Sequence, residues 1–161
     1  MDNIKNSIEY KYRIYQIKAL LLIGLIIIIL SLCPSIFILF KYQVFDSLYF
    51  LLLLPIIFVL LIFLPFIIYY YLKARYLINN NQNFILAEAI LDKPSTSFLY
   101  SRSVYFSLNI TIENKTITVD TNPLFSTGLF SFLDLSECNN KKVVVFYDKN
   151  KDKAYVKEIL S

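Results

Sequence analysis

Two uninterrupted apolar runs dominate the first half of the chain, residues 19–40 and 47–72, of 22 and 26 residues, and neither contains Asp, Glu, Lys, Arg or His. A hydrocarbon core of about 30 Å takes roughly 20 helical residues to cross, so each run is long enough to be a transmembrane helix. One charge at the centre of such a helix costs about 2.5–3.5 kcal/mol on insertion scales, and none is present. The first run is too long for a signal-peptide core, and no A-x-A-like site follows it, so it is expected to stay as an uncleaved helix. Residues 41–46 (KYQVFD) are the only connection, which predicts an antiparallel hairpin. At about 1.5 Å per residue the second run extends about 39 Å, so tilting or kinking is expected. Pro34, Pro55 and Pro65 are the kink positions, each lacking an N–H and freeing a carbonyl one turn earlier. Ser31 is available to help at Pro34. Small residues for close helix contact are few: Gly24, Ser31, Ser35 and Ser47.

Ahead of the first run, Ile4, Ile8, Tyr12 and Tyr15 recur at helical spacing, while Lys5, Glu9 and Arg13 fall elsewhere on the wheel. The pattern predicts an amphipathic segment over residues 1–18, lying on the membrane surface or extending the first span.

Beyond the polar stretch 78–83 (INNNQN) the period of the pattern falls to two. Val104, Phe106, Leu108, Ile110 and Ile112 alternate with Tyr105, Ser107, Asn109 and Thr111, the pattern of a half-buried strand. With Asn114-Lys115 as a two-residue turn, Thr116–Asp120 returns so that Ile112 faces Ile117 and Ile110 faces Val119. Further strands are predicted over residues 84–92, 142–147 and 154–160, the last two joined by a polar turn at 148–153. The expected fold is therefore α+β: a transmembrane hairpin (19–77, spans about 19–40 and 47–72), a linker at 78–83, and a β-domain at 84–161. The domain is expected to be a five-stranded antiparallel, partly open barrel. Residues 123–141 are poorly periodic. Their apolar residues Leu124, Phe125, Leu129, Phe130, Phe132 and Leu133 are candidates for contact with a partner, since so small a domain has little core of its own.

Charge adds an orientation. Lys5, Lys11, Arg13 and Lys18 precede the first run and Lys73 and Arg75 follow the second, against Lys41 alone between them. Six basic residues to one predict both termini on the cytoplasmic side of a cell inner (plasma) membrane. Tyr10, Tyr12, Tyr15 and Tyr69–Tyr71 would form an aromatic belt at one interface, Tyr42, Phe45 and Tyr49 at the other. Asn109-Ile110-Thr111 and Asn114-Lys115-Thr116 match the glycosylation acceptor pattern, which would require the opposite orientation. In an Asn- and Thr-rich strand such matches arise by coincidence.

Composition narrows the chemistry. The 161 residues include no His, no Trp, 2 Gly and 2 Cys, with a formal charge of +4. Without histidine the commonest general base and metal ligand is missing, and two distant glycines make no phosphate loop. Cys33 and Cys138 imply no disulfide framework. The spread charge argues against a nucleic-acid surface. Asp148-Lys149-Asn150-Lys151-Asp152 opens like a calcium loop, but Lys153 and Ile159 stand where the loop needs Gly and Glu, which predicts a solvated hairpin turn. No enzymatic activity, metal or cofactor is expected.

The segments FILAEAILDK, VYFSLNITIENKTITVDTN and KKVVVFYDKNKDKAYVKEIL, in that order, resemble a widespread family of bacterial membrane-associated domains of unknown function. Its members show an A-x-A-x-V opening strand, a hairpin closing on Asn-Gly-Lys, and an ending like V-x-V-Y-Y-D-P-x-N-P-x-x-A-Y. Val145, Phe146, Tyr147, Asp148, Asn150, Ala154 and Tyr155 match that ending. Lys149 and Asp152 stand in place of its prolines, and Asn114-Lys115 lacks its glycine. The resemblance covers about half of the chain. It implies a small β-domain tethered by membrane helices and supplies no catalytic residue.

These features favour a non-enzymatic two-pass protein that contacts the lipid bilayer and whose β-domain binds or regulates a protein partner, as an accessory subunit or within a homo-oligomer. The alternatives are a membrane immunity protein against a cognate toxin and an oligomeric transporter or channel component, the latter motivated by the three prolines.

Overall fold

The computed structural model describes residues 2–42, 49–91, 94–96, 103–112, 115–122, 124–125 and 140–160. A short helix α1 (Asp2–Lys5) leads into α2 (Ile8–Tyr42), and α3 spans Tyr49–Asn79. Among the described residues seven strands follow: β1 (Phe84–Ile90), β2 (Pro94–Thr96), β3 (Ser103–Ile112), β4 (Lys115–Thr121), β5 (Leu124–Phe125), β6 (Lys142–Asp148) and β7 (Lys153–Ile159). The chain divides into two compact units, one of Met1–Arg13 with Ala74–Ser161 and the other of Ile14–Lys73. The boundary therefore does not follow the polar stretch 78–83. The N-terminal residues and the last turns of α3 belong to the same unit as the sheet.

In the helical unit, α2 and α3 are each long and apolar enough to cross a membrane, and only 6% of either apolar window is buried. Buried core helices of a soluble protein would show the reverse. Leu22, Leu30, Phe37, Phe58, Leu61 and Phe66 all lie more than half exposed. Both helices continue through Pro34, Pro55 and Pro65. The two helices approach closely at Gly24, where an added Cβ would stand 3.1 Å from Val59 Cγ1. Ser31 Oγ donates to the Ile27 carbonyl at 2.6 Å, the ordinary back-bond of a helical serine. That acceptor is not the Leu30 carbonyl that Pro34 leaves free.

Five strands of the other unit form a nearly closed barrel in the order β1-β6-β7-β4-β3, with β1 and β3 side by side across the remaining seam. β2 and β5 are short additions on β3. The sheet is mixed, a correction to the antiparallel expectation, because β4 and β7 run parallel, pairing Asp120 with Lys153 and Thr121 with Ala154. Parity accounts for this. A ring of five strands cannot alternate direction at every step, so one neighbouring pair must run the same way.

Alternation builds the core. Ala87, Ala89 and Leu91, Phe106, Leu108 and Ile110, Val119, Val143, Val145, Tyr147 and Ala154 point inward, with Ile85, Ile112, Ile117 and Ile159 at the margins. The β3–β4 hairpin keeps that face but not the predicted pairs: Leu108 faces Val119, Ile110 faces Ile117 and Ile112 faces Lys115. Lys115 is thus a strand residue. A slip of two leaves the inner face apolar either way, so the outer face decides between the registers. There Ser107 Oγ donates to Asp120 Oδ1 at 2.6 Å and Thr118 Oγ1 donates to Asn109 Oδ1 at 2.8 Å. The predicted register would set Asn109 against Asp120 and break both pairs. A bulge near Val144 and Val145 shifts the β6–β7 ladder by one residue.

Candidate functional site

β6 is the exception to half-burial, since Val143 to Asp148 is buried or half-buried at every position. Its outer face lies under a second apolar cluster in which Ile4, Leu77, Phe146 and Tyr155 are buried and Tyr10, Tyr76, Ile78 and Phe84 pack around them. The Phe84 ring stands 6.1 Å from Phe146 and 5.6 Å from Tyr155, at tilted angles usual for aromatic contacts. The amphipathic N-terminal segment therefore covers the sheet together with the end of α3.

Its local structure follows from Ser7, the N-cap of α2. The Ser7 hydroxyl accepts from the Tyr10 N–H at 3.2 Å and donates to the Ile4 carbonyl at 2.5 Å, joining α1 to α2. Tyr12 is completely buried and Tyr10 is half-buried. Tyr12 thus serves as a packing residue, a correction to its assignment to an interfacial belt.

A polar network crosses the apolar cover. Glu9, 1% exposed, accepts from Arg13 in an ion pair one helical turn apart, and the Arg13 side chain is itself 6% exposed. The Asn122 amide, at the end of β4, donates to the same carboxylate oxygen, Glu9 Oε1, at 3.4 Å. Glu9 Oε2 is buried and finds no hydrogen-bond partner among the described residues. Burial pushes the Tyr155 hydroxyl well above the usual tyrosine range. The carboxylate of Asp148, the Tyr76 phenol and the carboxylate of Glu9 add to the shift, and a hydrogen bond from Asn122 opposes it.

The β6–β7 turn contributes the other half of the network. Asp148 is 1% exposed; its Oδ2 accepts from the Tyr76 hydroxyl at 2.5 Å and its Oδ1 from the Asn150 N–H at 3.0 Å. Lys151 Nζ lies 3.2 Å from the centre of the Tyr76 ring. Tyr147 donates to Asp152 Oδ1 at 2.9 Å, and that hydrogen bond, ahead of burial, raises its hydroxyl above the ordinary value. The turn is therefore solvated only in part. Lys149, Asn150, Lys151 and Asp152 are exposed, but Asp148 is an internal acceptor. Asp152 has φ 50°, which proline, fixed near −65°, cannot adopt. Among the described residues no group of three His, Cys, Asp or Glu could hold a metal.

Among the described residues, open clefts flank the barrel. One of about 460 Å³ lies over the β1–β3 seam between Glu88, Ala89, Ile90, Ser107, Asn109 and Lys142, and Leu86 and Ile90 on the same outer face of β1 are 53% and 54% exposed. Another, about 450 Å³, is lined by Tyr105, Thr118, Asp120, Asp152 and Lys153 among others.

Of the sequence-predicted contact residues, Leu124 and Phe125 form β5 and pair with Val104 and Ser103 of β3. Leu129, Phe130, Phe132 and Leu133 lie outside the described residues, as does Cys138. Sequence reasoning missed the Glu9–Arg13–Asn122 network. Its one local sign was the Glu-to-Arg spacing of four along a helix, which by itself indicates only a weak surface pair. The polar stretch 78–83 also proved more ordered than a linker. α3 continues to Asn79, the Asn80 amide donates to the Tyr76 carbonyl at 3.0 Å, and a 3-10 turn at Asn81–Asn83 leads straight into β1.

Comparison with family models, with curated proteins and with solved structures finds no match to this chain.

Proposed function

We propose that this chain is a two-pass membrane protein with both termini in the cytoplasm and that its β-domain binds or regulates a protein partner, as an accessory subunit. The observation that carries the reading is the composition of the β-containing unit, which includes residues from before the first apolar helix and from the end of the second. A chain that leaves one compact unit and returns to it has crossed the bilayer an even number of times. The excess of basic residues on those flanks supports the cytoplasm as the shared side. The partly open barrel fits the small tethered β-domain that the sequence resemblance implies.

For a protein partner the support is the outer surface of the barrel. Five-stranded barrels of the OB type use the face of their second and third strands for nucleic acid, by stacking bases on aromatic rings along a basic track. Here that face, on β3 and β4, presents Ser107, Asn109, Thr111, Thr116, Thr118 and Asp120, with Tyr105 as its half-buried aromatic. The apolar residues Leu86 and Ile90, beside the seam cleft, suit a protein surface better.

Two measurements test the proposal. With Cys33 replaced by Ser, Cys138 is the sole thiol, and an impermeant maleimide should not label it in intact cells but should do so after lysis. Labelling of intact cells refutes the orientation. Photo-crosslinkers placed at 86, 90 and across 124–135 in the full chain should yield one discrete adduct in cells, whereas absence of any adduct at all positions removes the partner reading.

A further inference from the structure

The barrel is hydrogen-bonded at every step but one. Among the described residues no ladder joins β1 to β3, although the two strands are neighbours and run in opposite directions. β2 and β5 both pair with Val104, so they lie on opposite edges of β3, and β5 continues the edge that β4 holds. β2 takes the seam edge from Val104 to Phe106 only, and beyond it Ser107 to Ile112 have no ladder partner on that side among the described residues. The lips of the seam follow from the alternation of an antiparallel ladder, in which every second residue turns its N–H and C=O to the same neighbour. The Leu91 N–H donates to the Lys141 carbonyl at 2.9 Å and the Leu91 carbonyl accepts from the Asn140 N–H at 2.8 Å. The odd residues of β1 therefore face β6, and Leu86, Glu88 and Ile90 turn their main chain to the seam. The Phe106 N–H donates to Thr121 Oγ1 of β4 at 2.9 Å. The even residues of β3 therefore face β4, and Ser107, Asn109 and Thr111 turn theirs to the seam.

Two rows of main-chain donors and acceptors thus confront each other without a ladder between them, and such rows are a template for one more strand. The side chains beside them suit a polypeptide. On the outer face, the cleft over the seam holds Glu88 and Lys142, both exposed and neither in an ion pair among the described residues, next to the exposed apolar Leu86 and Ile90. On the inner face, β1 contributes Ala87 and Ala89, two small residues and the most exposed members of the barrel core. The core is therefore least sealed where the ladder is missing.

We infer that the seam accepts an extended segment of the partner protein as an additional strand between β1 and β3. The inference rests on the partner-binding reading above and names its mode. Ladder neighbours stand about 4.8 Å apart, so entry of the segment sets β1 and β3 about 9.6 Å apart. Its main chain pairs with both lips and supplies affinity, and its alternate side chains supply specificity. The inward ones are apolar and pack on Ala87 and Ala89. The outward ones include a Lys or Arg beside Glu88, an opposite-charge pair across neighbouring strands.

The test uses the full chain in detergent micelles and the end-blocked peptide Thr-Val-Thr-Val-Lys-Val-Thr, read by amide hydrogen exchange. In the chain alone, the amides of Leu86, Glu88 and Ile90 should exchange faster than those of Ala87 and Ala89, which face β6. With peptide at about ten times its Kd, the seam amides, including Ser107, Asn109 and Thr111, should slow about tenfold. The same peptide with N-methylated valines keeps its side chains but cannot pair, and should give no slowing. Replacing its Lys by Glu should weaken binding about fivefold, and Glu88→Lys should reverse that preference. Seam amides as protected as Ala87 and Ala89 in the chain alone overturn the inference, because the seam is then already filled. No slowing at about 1 mM peptide overturns it too. So does equal binding of the N-methylated peptide, which assigns binding to side chains in the outer cleft, or a preference for Lys that survives Glu88→Lys. The partner reading fails separately, when crosslinkers at 86, 90 and across 124–135 give no adduct.

Discussion

Arg13→Ala is the sharpest test of how the N-terminal segment is held. In the wild type the Glu9 carboxylate is 1% exposed and shares its Oε1 between Arg13 and the Asn122 amide, while Oε2 has no partner among the described residues. Removing the guanidinium leaves a buried charge with one long hydrogen bond. Breaking a buried pair from one side typically costs about 3–5 kcal/mol. At about 1.4 kcal/mol per factor of ten, that predicts amide exchange in β6 and β7 of the reconstituted full chain about a hundred- to a few thousand-fold faster. The double variant Glu9→Leu/Arg13→Leu removes both charges and leaves an apolar filling, so it should lie within about 1–2 kcal/mol of wild type, since apolar replacements of buried pairs are often neutral. Exchange in Arg13→Ala within threefold of wild type would refute the reasoning. So would a double variant as unstable as the single one, because the loss would then come from packing and not from the stranded carboxylate.

Three further substitutions probe other contacts. Asp148→Ala strands the Tyr76 hydroxyl and the Asn150 N–H, and at about 1–3 kcal/mol for each unsatisfied donor it should lower the denaturant midpoint of the β-domain clearly, whereas Asn150→Ala should not. Gly24→Leu meets Val59 Cγ1, already 3.1 Å from an added Cβ, and should destabilise the helical unit by about 1–3 kcal/mol in a thermal-aggregation assay, with Val59→Ala restoring part of the loss. Tyr155 has a folded-state value raised by burial, so its contribution is complete below the unfolded value of about 10 and is lost as pH rises through the higher folded value. The denaturant midpoint should therefore fall above pH 10 in the wild type and fall less in Tyr155→Phe, and identical alkaline profiles would remove Tyr155 as a cause.

The parts of this fold that were legible in the sequence are those set by short-range pattern. β1, β3, β4, β6 and β7 lie within one or two residues of the predicted strands because short runs rich in apolar, β-branched and aromatic residues, bounded by polar turns, leave little freedom in where a strand sits. Register was less accessible. Pairing Ile110 with Ile117 or with Val119 gives the same apolar face, and the choice rests on outer-face hydrogen bonds at Ser107 and Asn109 that periodicity does not weigh. β2 and β5, of three and two residues, are too short to carry a period at all.

Burial was the least legible quantity, and the N-terminal segment explains why. The spacing of Ile4, Ile8 and Tyr12 announces that one helical face will be covered, but lipid and protein select the same residue types for that face. The discriminating signal is polar. A surface-bound helix has no use for a desolvated Glu9–Arg13 pair, and a helix docked on a sheet can supply such a pair with Asn122 from the sheet itself. The same logic applies to Asp148, whose turn-forming bond to Asn150 was foreseeable from sequence and whose burial was not. Burial required Tyr76, which lies 72 positions away along the chain. Both contacts join the flanks of the apolar helices to the barrel. Polar residues that local patterning assigned to water thus join the apolar cluster in holding the N-terminal segment and the end of α3 on the barrel, while the apolar residues nominated for partner contact lie elsewhere in the chain.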